Sequence, residues 1–115
     1  MQKLMIVMLL VTATPAMADG DATRGKDLYM RVGCYQCHGT VGQGGVAGVR
    51  LAPKPMAFEA FAQFVHNTSD AMPPYRETVL PTADLRDIHA YLSAQPAPKP
   101  VKELPLLRDL STAGQ

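Results

Sequence analysis

The run Cys34-Tyr35-Gln36-Cys37-His38 restricts this chain more than any other stretch of it. Two thiols separated by two residues, with an imidazole directly after the second, form the attachment signature for a c-type haem. Each thiol can form a thioether with one vinyl group on the same porphyrin edge, and the histidine then lies where it can ligate the iron. The chain has 2 cysteines in all, so no third thiol competes for either. Two other chemistries use C-x-x-C. A dithiol redox pair normally sits where a strand meets a helix, and no strand pattern is present. A zinc site needs further ligands, and only His66 and His89 remain, far apart and not at finger spacing.

The start of the chain reads as an export signal. Lys3 precedes the apolar stretch Leu4 to Val11, and Ala16-Met17-Ala18 offers a small-x-small cleavage site, so residues 1–18 are expected to be removed after Ala18. The stretch falls short of the roughly 20 apolar residues of a membrane span. No transmembrane anchor is therefore expected after cleavage; an uncleaved anchor or a buried helix is the competing reading. Export to the periplasm suits the motif, because bacterial thioether attachment takes place outside the cytoplasm. Without Lys3 the rest of the chain balances ten Lys and Arg against ten Asp and Glu. That lacks the basic surplus of a nucleic-acid binder. There is no tryptophan, and the phenylalanines are Phe58, Phe61 and Phe64. So short a chain makes a marginal core. A large, flat, apolar group bonded to it would act as the staple that small scaffolds need.

The pattern predicts an all-α domain over residues 19–95. Asp21 caps a helix that runs to about Val32 and stops at Gly33, with Leu28, Tyr29 and Val32 on one face. Residues 39–55 are rich in glycine, hold Pro53 and Pro55, and show no periodicity; they predict a long loop. Such a loop needs something to order it, and a haem edge would serve. Pro55 opens a second helix with Phe58, Phe61, Phe64 and Val65 as its apolar stripe. Pro73-Pro74 breaks the chain. Thr82 caps a third helix whose apolar face carries Leu85, Ile88, Tyr91 and Leu92. Residues 96–115 form a tail with prolines at 96, 98, 100 and 105 and leucines at 104, 106, 107 and 110. The tail is either a disordered end or a segment that lies on the domain or on a partner.

From about Gly25 to Leu92 the chain resembles class I cytochromes c. Gly25-Lys26-Asp27-Leu28-Tyr29 is similar to the glycine-to-aromatic spacing of that family's N-terminal helix, Cys34 to His38 is its haem motif, and Met72-Pro73-Pro74 is similar to its distal methionine and following proline. Gly33 departs from the pattern by adding a residue before Cys34. The resemblance implies a cytochrome c fold: three or more helices with long loops wrapped around one covalently bound haem c. It also implies that the Cys34 and Cys37 thioethers hold the group, with His38 and Met72 as axial ligands.

Elimination among the methionines agrees. Met1, Met5, Met8 and Met17 leave with the signal, and Met30 lies one turn before Cys34 on the attachment side. Met56 opens an apolar helix and suits core filling. Met72 sits in a segment stiffened by two prolines; Met56, His66 and His89 stay open as alternatives. A ligating imidazole donates its other N–H to a carbonyl. The resemblance assigns that carbonyl to a loop proline, here Pro53 in Leu51-Ala52-Pro53. Arg50, Tyr75 and Arg76 are candidate contacts for the propionates, against a solvated surface. With both axial positions filled, the expected function is electron transfer with redox protein partners. A haem subunit of a periplasmic oxidoreductase complex, and an enzyme or gas sensor with a labile distal site, are the alternatives.

Overall fold

The computed structural model describes residues 19–105 and 107. The expected export signal, residues 1–18, and Leu106 and Leu110 of the tail lie outside the described residues. Among the described residues the helices are, in order, α1 Ala22–Arg31, α2 Tyr35–His38, α3 Phe58–Asn67 and α4 Thr82–Ser93, with a 3₁₀ turn at Val101–Glu103. Among the described residues there is no strand, as the all-α expectation requires.

Helix α1 begins and ends where the sequence reading puts it. The Asp21 carboxylate accepts from the backbone N–H groups of Thr23 at 2.8 Å and Arg24 at 3.1 Å, satisfying two of the orphan donors of the first turn. At the other end Gly33 takes φ of 89°, in the left-handed region that glycine enters without penalty. The Cys34 N–H returns to the Tyr29 carbonyl at 3.2 Å, the six-to-one bond of a Schellman stop. The extra residue at 33 thus turns the chain out of α1 and places Cys34 at the start of α2.

Helices α1 and α4 cross at Gly25. A methyl group there would fall 1.9 Å from the Asp87 carbonyl oxygen, so only a hydrogen lets the two backbones approach. Leu28 and Tyr29 on α1 then pack with Leu85, Ile88, Tyr91 and Leu92 on α4, all buried. Tyr29 and Tyr91 meet with ring centroids 5.5 Å apart. At the rim Arg24 forms ion pairs with Asp84 and Asp87. Asp87 is itself buried and accepts the Asp21 N–H at 2.8 Å.

Two helix starts differ from expectation. Helix α3 opens at Phe58 and not at Pro55, because Ala57 is extended at φ −51° and ψ 142°. On α3 Phe61, Ala62 and Val65 are buried, whereas Phe64 stands 41 % exposed. Thr82 is the first residue of α4 and not its cap. Pro81 holds the cap position, and Glu77 serves the helix instead: its carboxylate accepts the Thr82 N–H at 2.9 Å and the Thr82 hydroxyl at 2.7 Å.

Gly25→Ala should separate α1 from α4. We expect a loss of about 3 kcal/mol, the upper part of the range for overpacking in a close-packed interior, measured by denaturant unfolding. The Thr82 hydrogen bonds hold the Glu77 carboxyl below its ordinary value of 4.5. A carboxylate with a lowered folded pKa stabilises the fold above the unfolded value, and that contribution disappears as pH falls through the folded one. Glu77→Gln should therefore lower the melting temperature at neutral pH, and the gap to the parent protein should close in acid.

Candidate cofactor site

The one-turn helix α2 and its N-cap Cys34 carry both thiols and the imidazole. The His38 N–H bonds to the Cys34 carbonyl at 3.0 Å, a helical hydrogen bond spanning the motif. Cys34 is half-buried and Cys37 exposed. Burial pushes the Cys34 thiol up to about 11, so it is neutral at ordinary pH. A thioether at that position carries no proton and suits the same apolar surroundings.

His38 is oriented by backbone. Its Nδ1 lies 2.8 Å from the Val49 carbonyl oxygen, which selects the tautomer with the proton on Nδ1. No partner for Nε2 is found among the described residues, so that nitrogen's lone pair is free for a metal. The acceptor is the carbonyl of Val49, where the sequence reading assigned Pro53. The loop brings Val49 there through its own hydrogen bonds: Gly44 N–H to the His38 carbonyl at 2.8 Å, Gly45 N–H to the Gly48 carbonyl at 2.9 Å, and the Leu51 and Ala52 N–H groups to the Gly42 carbonyl at 2.9 Å. Gly48 permits the approach, since a Cβ there would meet the Cys37 carbonyl at 2.7 Å and His38 Nδ1 at 2.8 Å.

Tyrosine hydroxyls brace both ends of the motif. Tyr29 donates to the Gly39 carbonyl at 2.7 Å, Tyr91 to the Thr40 carbonyl at 2.8 Å, and Tyr75 to the Val32 carbonyl at 2.9 Å. Burial raises the pKa of all three phenols, which keeps each a donor at neutral pH.

A cavity of about 350 Å³ opens beside α2. Cys34, Cys37 and His38 line it together with Val49, Phe64, Met72 and Tyr75. A deeper lobe of about 130 Å³ shares Cys34, His38, Val49, Phe64 and Met72 with it and reaches Met56, Leu80, Leu85, Ile88 and Leu92. Phe64 and Met56 stand 41 % and 49 % exposed although both line this space. The residues fit a haem: two thiols, an imidazole with one free nitrogen, a thioether sulfur, and an apolar recess that a flat ring would fill.

The remaining candidates fall into place around it. Met72 lines both lobes and Met56 only the inner one. Met30 packs against the core and lines neither. His66 and His89 are engaged elsewhere: His66 Nε2 lies 2.9 Å from the Leu80 carbonyl and 3.3 Å from Glu77, and His89 Nε2 lies 2.9 Å from the Met56 carbonyl with its ring edge-on to Phe58 and Phe61. Arg50 and Arg76 are exposed and line neither lobe. Tyr75 lines the outer lobe, but its hydroxyl is donated to Val32.

Sequence reasoning did not find Val49, Gly48 or the tyrosine braces. A backbone carbonyl leaves no side-chain signature, and the braces span up to 51 residues.

Residues 20–92 match the family model described as cytochrome c oxidase, cbb3-type, subunit III. No curated protein and no solved structure matches the chain. A family match over well more than half of the sequence makes this chain a member of that family, a c-type cytochrome that carries covalently bound haem c and serves in electron transfer.

Proposed function

We propose that the protein is a periplasmic electron carrier in which Cys34 and Cys37 bond the haem and His38 Nε2 and Met72 Sδ are the axial ligands. The observation that carries this reading is the lining of one cavity by the C-x-x-C-H motif and Met72. When bound, haem c supplies a one-electron Fe(II)/Fe(III) couple. His38 is held by the Val49 carbonyl, which raises its basicity as a ligand. Met72 favours the reduced state, as thioether ligation does, and so raises the potential. With both side chains holding the iron, no position would be left for oxygen or a substrate, as suits a carrier more than an enzyme or a gas sensor. Leu80, Leu85, Ile88 and Leu92 exclude water from the inner recess, so little solvent has to reorganise when charge changes there.

A second reading is that the chain delivers electrons as the haem subunit of a larger periplasmic oxidoreductase. The family's description, an oxidase subunit, favours it. So do Val101 and Leu107, left 53 % and 42 % exposed beyond α4. Copurification with a catalytic chain would distinguish a subunit from a free carrier.

Denaturation followed by extraction with acidic organic solvent should leave the haem on the chain, and the double variant Cys34→Ser, Cys37→Ser should retain none. Haem held in full amount by the double variant would overturn covalent attachment through these thiols. Met72→Ala should abolish the near-infrared sulfur-to-iron charge-transfer band of the oxidised protein and lower its potential. It should also convert negligible carbon monoxide binding by the reduced protein into rapid stoichiometric binding. A band that survives in Met72→Ala would move the ligand to Met56, and rapid binding by the parent protein would favour a sensor or enzyme.

A further inference from the structure

We infer that Tyr75 is a positioning residue for Met72, a strap that ties the loop carrying this sulfur to the attachment segment. The inference rests on Met72 being the axial ligand. Tyr75 is held at two points. Its backbone N–H bonds to the carbonyl of Val65, a buried residue of α3, at 2.9 Å. Its hydroxyl crosses to the Val32 carbonyl, also at 2.9 Å and 43 residues away in sequence. Val32 is the C-cap of α1, two residues before Cys34. Its carbonyl belongs to a helix end, where such groups lack an intrahelical partner, and the phenol satisfies it.

Only Pro73 and Pro74 separate Tyr75 from Met72. Each has its φ fixed near −65° by the ring, so a displacement at Tyr75 carries over to Met72 with little slack. Met72 and Tyr75 line the same outer lobe as Val32, Gly33 and Cys34. The hydroxyl therefore closes a ring of structure around the cavity: α1 cap, attachment turn, cavity, distal loop, and back to the cap. Releasing it frees the loop on the cavity side while the Val65 bond still anchors it to α3. The sulfur then leaves the iron more readily although the fold persists.

The test is competition for the iron by free imidazole, titrated into the oxidised holoprotein. Tyr75→Phe keeps the ring and removes only the hydroxyl. It should bind imidazole roughly twofold to tenfold more tightly, the weight of one hydrogen bond. Arg24→Gln is the control, since it removes the rim ion pairs to Asp84 and Asp87 and leaves the Gly25 crossing that positions α1. It should lower the melting temperature and leave imidazole affinity unchanged. Unchanged affinity in Tyr75→Phe, or an equal rise in both variants, overturns the strap. Met72→Ala separates the two levels. Loss of the near-infrared band there, with no effect of Tyr75→Phe, sinks the strap alone; a band retained in Met72→Ala removes the ligation it rests on.

Discussion

Everything around the cavity depends on the close crossing of α1 and α4 at Gly25. With no side chain at that point the Asp87 backbone can touch α1, and the interior is dense enough that this contact fixes the relative position of the helices. Tyr29 is then fully buried against Tyr91, and the end of α1 is set in space. The Schellman stop at Gly33 transfers that position to Cys34 across a single turn. The thiols are thus located by helix packing, and the loop of residues 39–57 is hung afterwards from α2 and α4.

The polar interactions of the site share one design. Tyrosine hydroxyls donate to carbonyls at either end of the attachment motif, and a carbonyl from the following loop receives His38 Nδ1. Each tyrosine pairing satisfies a partly buried polar group that would otherwise be costly. None uses an ionised side chain, although Asp70 lines the outer lobe. Among the described residues the ion pairs of Arg24 sit elsewhere, at the α1–α4 rim.

Local signals were the legible ones. The Asp21 cap, the Gly33 stop and the G-x-x-x-aromatic of α1 each act within a turn or two of chain, and the structure holds them as read. Met72 could be singled out because two prolines mark its loop. What escaped reading depends on partners distant in sequence or on backbone atoms. Val49 offers a carbonyl that any residue could offer. Glu77 caps α4 from five residues upstream, so Thr82 looked like the cap. His66, kept open as a ligand, turns instead to the Leu80 carbonyl, 14 residues on. Asp87 takes its partners, the Asp21 N–H and Arg24, from 66 and 63 residues upstream.

The inner lobe of the cavity is walled by Leu80, Leu85, Ile88 and Leu92, which are also among the most buried residues of the hydrophobic core. With the haem held as proposed, the same methyl groups would set both folding stability and the dielectric around the iron, since burial is one of the levers on haem potential. Trimming one of them leaves a void and also brings polarisable surroundings nearer the redox centre. A change in core packing there would thus be a change in electrochemistry as well.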